Sequence, residues 1–224
     1  MVATVLLQQD IKLEALEIKR KPPEIPVDLL RAMLEGRPEG ITREQLAVLL
    51  QAHASLFVEA VGALGRSNIV QHEILTEGHR TRRRPRPYRV SHAEAEFIEK
   101  QVVEMLDAGV IRPLWSDEWS PVVIVRKKDG YMWFCVDYRA LNAIMIKDVY
   151  PLPRIDDHLD ELGGSTYFSV MDLVSGYWQI ELAEKDRRKS AFVTKQGLFE
   201  YNVMPIGVCN GPATFQRMMD CVMD

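Results

Sequence analysis

The chain has 224 residues, 47% of them hydrophobic and 27% charged, with a formal net charge of −4, the composition of a soluble globular protein and not of a wholly basic nucleic-acid binder. No run approaches the length of a membrane span, and Val5-Leu6-Leu7 soon meets Gln8-Gln9-Asp10, which argues against a signal peptide. Cys135, Cys209 and Cys221 form no CxxC pair and have no histidine close by, which argues against a disulfide framework and a zinc site and for an intracellular setting, cytoplasm or nucleus.

Residues 1–25 are weakly patterned and read as a linker, with prolines at Pro22 and Pro23 that stop any helix. Pro26 to Glu35 is a short helix candidate closed by Gly36. A better helix starts at Thr42, where Thr42 and Gln45 form a capping box and Leu46, Leu49, Leu50, His53 and Phe57 share one face. On that face His53 reads as a packed core histidine and not as a ligand. No chemistry is visible before residue 65.

Residues 79–89, HRTRRRPRPYR, carry six arginines and no acid. Arg-Pro repeats resist helix and favour an extended path. Two readings stay open: a solvated linker, or an electrostatic contact of Arg82, Arg83, Arg84 and Arg86 with nucleic-acid phosphates.

Ser91 and Glu94 form a second capping box, ahead of a helix whose apolar stripe is Ile98, Val102, Met105 and Leu106 and whose stop is Gly109. Ser120 to Arg126 and Met132 to Asp137 read as strands joined through Lys128-Asp129-Gly130, a strong hairpin signal. Pro153 opens a helix with Ile155, Leu159 and Leu162 on one face, stopped by Gly163-Gly164; Asp156 and Asp157 suit its positive end without any catalytic role. A second hairpin joins Ala191–Thr194 to Leu198–Tyr201 through Lys195-Gln196-Gly197. Pro212 opens a last helix, with Phe215, Met219 and Val222 expected to face inward.

Between these lies Tyr167-Phe168-Ser169-Val170-Met171, a β-branched and aromatic run ending on Asp172. An unpaired buried carboxylate is costly, so Asp172 must be solvated, paired or metal-bound. Ser175-Gly176 then breaks the strand ahead of Tyr177-Trp178.

The stretch from Phe168 to Ile180 resembles the first catalytic motif of the reverse transcriptases of gypsy-type LTR retrotransposons. Met204-Pro205-Ile206-Gly207 with Asn210-Gly211-Pro212-Ala213-Thr214-Phe215-Gln216 resembles that family's template-side segment. Phe134-Cys135-Val136-Asp137-Tyr138-Arg139-Ala140-Leu141-Asn142 and Tyr150-Pro151-Leu152-Pro153-Arg154-Ile155 resemble its fingers. Leu64-Gly65-Arg66 with Val70 to Ile74 is similar to the connector after the polyprotein's aspartic protease. The protease's Asp-Thr/Ser-Gly signature is missing, so the chain is expected to begin downstream of the protease or to have lost it.

The resemblance implies an α+β fold, the fingers and partial palm of a right-hand polymerase. It implies a helical connector at 1–65, a basic extended lead-in at 66–90, and fingers and partial palm at 91–224. The implied reaction is RNA-directed DNA polymerisation, by a polyprotein that also carries ribonuclease H, with template-primer and dNTPs as partners and no membrane. Two Mg²⁺ or Mn²⁺ ions serve such nucleotidyl transfer, held by carboxylates. The resemblance places Asp172 and the carbonyl of Leu173 on metal, and Lys127, Arg139, Tyr177 and Ile206 at the nucleotide, with the Tyr177 ring under the sugar.

Two departures accompany it. The family's Tyr-x-Asp-Asp pair has no counterpart, so the chain is expected to be truncated before that hairpin and inactive alone. The family's fingertip run Asp-Gly-Ser-Trp-Arg is here Asp129-Gly130-Tyr131-Met132-Trp133, with an indole in place of the guanidinium. The alternative is a non-catalytic relic or domesticated protein that binds nucleic acid or a protein partner.

Overall fold

A computed structural model describes residues 25, 43–57, 64–77, 86–126, 128, 130–165 and 172–223. The helix read at Pro26–Glu35, the strand read at Tyr167–Met171, and Arg82, Arg83, Arg84 and Lys127 lie outside these residues. The chain divides into two units, Met1–Phe57 and Val58–Asp224.

In the first unit, α1 (Arg43–Ala52) forms as expected and runs into a 3₁₀ turn at Ala54–Leu56. The packed role read for His53 is corrected, because His53 is exposed and Ala54 is the buried residue. The helical period breaks at this point. The His53 N–H donates to both Leu49 and Leu50 carbonyls, at 3.3 and 3.1 Å, so the helix tightens here, and Leu49 of the same face is itself 56% exposed.

The second unit is built on a five-stranded sheet in the order β2-β7-β6-β3-β4. Its strands are β2 (Ile111–Pro113), β3 (Ser120–Arg126), β4 (Met132–Val136), β6 (Phe192–Thr194) and β7 (Gly197–Tyr201). The β3–β4 pair is the expected fingers hairpin, in register from Val122↔Val136 to Arg126↔Met132. The second expected hairpin is also present, with Thr194 opposite Gly197 across a two-residue turn. Within this sheet the β3–β6 pair runs parallel and the other pairs antiparallel.

Helix α2 (His92–Asp107) carries the capping box in full: Ser91 Oγ accepts from the Glu94 N–H, and Glu94 accepts from the Ser91 N–H. Ile98, Val102 and Met105 are buried from it against Phe192, Tyr201 and Val136 of the sheet in one apolar core. Gly109, at φ +65°, ends it in a conformation that suits glycine.

A parallel two-stranded sheet forms from β1 (Ser67–His72) and β5 (Ile180–Leu182). The sequence reading gave residues 66–77 no element, yet His72 and Ile74 are fully buried. Arg66 supports this join by donating to the Trp178 carbonyl, with longer bonds of 3.4 Å to the Ala108 and Gly109 carbonyls at the end of α2. The short helices α3 (Arg139–Asn142), α4 (Ile155–Glu161) and α5 (Glu184–Arg187) precede the last helix, α6 (Gly211–Met223).

The inward reading of α6 needs one change. Phe215 and Met219 pack against the core as expected, but Val222 is 55% exposed. The buried face is set instead by Gly211, Ala213, Thr214 and Met218, and the first three are small enough to let the helix approach β1 closely, with Thr214 Oγ1 2.8 Å from His72 Nδ1. No helix among the described residues is long and apolar enough to cross a membrane.

Candidate active site

Asp172 and Leu173 are both exposed, so the carboxylate is solvated, one of the three states its chemistry allows. The backbone then turns sharply. Ser175 takes the left-handed conformation, φ 47° and ψ 48°, and starts a 3₁₀ turn at Gly176–Gln179. The Trp178 N–H closes on the Ser175 carbonyl at 2.8 Å, and Gln179 Nε2 donates to the Val174 carbonyl at 3.1 Å. A non-glycine residue at positive φ is strained and persists only where the surroundings over-determine it.

The surroundings here are α6. The Tyr177 and Phe215 rings lie 5.5 Å apart. A Cβ built on Gly176 would lie 2.9 Å from the Phe215 ring and 3.4 Å from Leu173 Cβ; one on Gly211 would lie 3.0 Å from the Tyr177 ring. Two glycines therefore let the turn and the helix touch, and they fix Tyr177 a few residues from Asp172. Burial raises the Tyr177 hydroxyl pKa, in keeping with a ring half inside the core.

Ile206 is 45% exposed, at the end of the buried run Val203-Met204-Pro205. Its orientation is set by asparagines to which the sequence reading gave no role. Asn142 Nδ2 donates to the Gly207 carbonyl at 2.8 Å, and Asn142 Oδ1 accepts from the Cys209 N–H at 3.0 Å. Asn210 reciprocates by donating to the Ile146 carbonyl at 2.8 Å and accepting from the Asp148 N–H at 3.1 Å. Both asparagines stand inside the motifs that carried the resemblance, and that was the available signal.

Arg139 lies on α3, its guanidinium paired twice with Asp137: Nε to Oδ1 at 2.8 Å and Nη2 to Oδ2 at 2.7 Å. Hydrogen bonding from Arg139, with Tyr88 adding to it, holds the Asp137 carboxyl down at about 2. Trp133 is on β4 opposite Val125, 46% exposed. Arg86 is exposed. Gln216 donates to Asp220 at 2.7 Å, and Asp220 also accepts from the Tyr150 hydroxyl at 2.6 Å. The structure thus brings Leu173, Gly176 and Tyr177 together with Phe215 and Gly211, and ties Ile206-Gly207 to α3, the helix of Arg139.

Among the described residues no group of three or more His, Cys, Asp or Glu side chains is placed to hold a metal. Mg²⁺ takes one or two carboxylates, and substrate phosphates and waters supply the rest. Exposed Asp172 fits as one such ligand, and it is one donor and not a complete centre.

These elements have the fold of the fingers and part of the palm of a right-hand polymerase. Residues 125–224 match the family model described as reverse transcriptase (RNA-dependent DNA polymerase). It is 39% identical over 162 residues to the retrovirus-related Pol polyprotein from transposon 297 of Drosophila melanogaster, covering 70% of this chain and 15% of that polyprotein. It is 48% identical over 89 residues to an RNA-directed DNA polymerase homolog of Oenothera berteroana, covering 40% of this chain and 63% of that protein. In fold it is similar to the foamy viral protease-reverse transcriptase in complex with RNA/DNA hybrid. The TM-score there is 0.72 at 21% identity, over 91% of this chain and 28% of that one. The chain therefore spans about 15% of the length of its Drosophila polyprotein relative.

Proposed function

We infer that this chain is the fingers and first palm segment of a gypsy-type LTR retrotransposon polymerase, acting inside the cell on an RNA or DNA template-primer with dNTPs. The observation that carries this is the Asp172–Tyr177 turn. An exposed carboxylate and an exposed backbone segment at Leu173 precede a strained left-handed residue, and that residue seats the Tyr177 ring on α6. A carboxylate a fixed distance from an aromatic ring suits a reaction in which a metal-bound triphosphate reacts above a deoxyribose.

In this reading Asp172 and the Leu173 carbonyl hold one side of a divalent-ion site, Mg²⁺ or Mn²⁺, which supplies charge neutralisation at the phosphates. Tyr177 excludes a 2′-hydroxyl. Ile206 flanks the nucleotide and template, with its loop held by Asn142. Lys127 and Arg139 serve the nucleotide, the latter held in place by Asp137. Arg82, Arg83, Arg84 and Arg86 track nucleic-acid phosphates ahead of the fingers. The segments 1–65, 66–90 and 91–224 are connector, lead-in and polymerase. The remaining two carboxylates come from outside these 224 residues, which contain no Tyr-x-Asp-Asp.

Primer extension tests this in two arms. The purified 224-residue chain, given template-primer, Mg²⁺ and dNTPs, is expected to extend nothing. A chimera joining residues 66–224 to the downstream palm and thumb of a related element is expected to extend, and Asp172→Ala is expected to abolish it. Extension by the chimera that survives Asp172→Ala removes Asp172 from the chemistry. Asp172-dependent extension by the chain alone overturns the need for outside carboxylates.

A further inference from the structure

Asn210-Gly211 is the one Asn-Gly pair in the chain. In a flexible peptide such a pair is chemically unstable, because glycine has no side chain to shield its backbone nitrogen from the preceding side-chain amide. The Gly211 nitrogen attacks Asn210 Cγ and gives up its proton. A C–N bond forms, the Cγ–Nδ2 bond breaks and ammonia leaves, so the two residues close into a five-membered succinimide. Water then opens the ring at either carbonyl and leaves aspartate or isoaspartate at position 210.

The fold holds every group that takes part. Asn210 is only 7% exposed. Its Nδ2, the leaving nitrogen, donates to the Ile146 carbonyl at 2.8 Å. Its Oδ1 accepts from the Asp148 N–H at 3.1 Å, with the Cys209 thiol 3.4 Å away. The attacking nitrogen is engaged as well, since the Gly211 N–H donates to the Val208 carbonyl at 3.1 Å. The Asn210 carbonyl accepts from the Thr214 N–H at 3.1 Å and so opens α6. Ring closure therefore needs the first turn of α6 to lift away from residues 146–148. The glycine that makes the pair labile is also the one that lets α6 reach Tyr177, where a Cβ would lie 3.0 Å from the ring.

The product does not fit the place it came from. An acid at position 210 has no donor for the Ile146 carbonyl, and a buried carboxylate facing that carbonyl is costly. Isoaspartate also routes the backbone through an extra carbon, which moves the start of α6 out of register with Tyr177.

We propose that Asn210-Gly211 is a self-modification site gated by α6, sealed while the helix is docked and converting to aspartate or isoaspartate when it lifts. An opening event that reacts removes the molecule from the folded pool for good, with no enzyme or oxidant required. This holds whether or not the chain serves a polymerase.

Paired incubations of the full chain in native buffer and in urea, at one mildly alkaline pH, test the gate, with conversion read by peptide mass spectrometry. In urea Asn210 should convert ahead of Asn68, Asn142 and Asn202, none of which precedes a glycine. In native buffer its conversion should be slower by about tenfold or more, the ratio given when a tenth or less of the molecules are locally open. Gly211→Ala, compared in urea so that folding plays no part, should convert several times more slowly than wild type. Wild type held in urea and then refolded should lose folded protein in proportion to the converted fraction, and Gly211→Ala should lose less. Conversion as fast in native buffer as in urea overturns the gate. Conversion spread evenly over all the asparagines, or equal rates for wild type and Gly211→Ala, overturns the site. Converted chain that refolds with the wild-type urea midpoint overturns the claim that the product cannot return.

Discussion

The Asn142 side chain holds the backbone of Gly207 from a separate element 65 residues away, donating to its carbonyl at 2.8 Å. The same amide accepts from the Cys209 N–H at 3.0 Å, so one side chain closes both ends of the loop behind Ile206. Gly207 sits at φ +101°, and a Cβ there would come 3.6 Å from Tyr138 and the Val136 carbonyl. The loop is therefore fixed by one amide and one left-handed glycine.

Removing that amide leaves a carbonyl and an N–H without their partner at a partly wet site. Asn142→Ala should cost about 1–3 kcal/mol, the range for a lost hydrogen bond with its partners unsatisfied. Urea unfolding at neutral pH measures it. Asn142→Asp keeps the acceptor for Cys209 but loses the donor to Gly207, so it should fall between wild type and alanine. A variant as stable as wild type would mean that Asn142 does not anchor the loop.

Gly176 and Gly211 make a paired prediction, because both approach an aromatic ring but differ in what alanine gains. At Gly176 a Cβ would lie 2.9 Å from the Phe215 ring, and that ring is itself packed on Tyr177. Gly176→Ala should cost about 1–3 kcal/mol, as overpacking does. At Gly211 the contact is 3.0 Å, but the residue opens α6, where alanine gains up to about 1 kcal/mol in helix propensity. Gly211→Ala should be near neutral. Thermal unfolding of the two variants separates them, and equal losses would refute the distinction.

The sequence made the hairpins and caps legible because their signals are local. Ser91 and Glu94 are three residues apart, and Gly130 and Gln196-Gly197 lie at the turns they make. The contacts that build the site are long-range. Nothing local to His72 announces that it will meet Thr214 of α6 at 2.8 Å, or that β1 will pair with β5 more than a hundred residues on. His53 and Val222 were misread for a related reason. Helical periodicity was extended past the point where the backbone tightens in one case, and to the exposed last turn in the other.

Buried His72 gives a pH dependence with a definite sign. Desolvation lowers its pKa from 6.5 to about 4, against opposing contributions from Asp186, Asp148 and Glu73. Its Nδ1 is 2.8 Å from Thr214 Oγ1, while buried Nε2 has no hydrogen-bond partner among the described residues to receive a second proton's charge. The unfolded chain therefore binds a proton that the folded chain refuses. The stability is present in full above pH 6.5 and is lost as pH falls from 6.5 to about 4. The limiting loss is about 3 kcal/mol, from the free energy of a pKa displacement. Urea midpoints across that window should fall for wild type and change much less for His72→Leu. Parallel slopes would assign the loss to other groups. Asp137 is not a competitor, since its depressed pKa of about 2 shifts its contribution to lower pH.

Trp133 stands where the resemblance leads one to expect an arginine. It stands on β4 opposite Val125, at the end of the fingers hairpin, and is 46% exposed. A guanidinium aimed at a triphosphate makes charge-assisted hydrogen bonds of about 1.5–3 kcal/mol each. The indole offers one N–H and no charge. Losing one such bond corresponds to about 10- to 100-fold in rate. In the chimera of residues 66–224 with a related palm and thumb, Trp133→Arg should therefore raise kcat/KM for dNTPs by about 10- to 100-fold. Template-primer affinity should change little, because position 133 is assigned to the nucleotide and not to the duplex. Single-nucleotide incorporation against dNTP concentration reads the first quantity, and anisotropy on labelled template-primer the second. An arginine chimera no faster than its tryptophan parent would mean that Arg126 or Lys127 already serves the triphosphate, or that β4 does not present position 133 to it. A gain in template-primer affinity with no gain in kcat/KM would move position 133 to the nucleic-acid path instead.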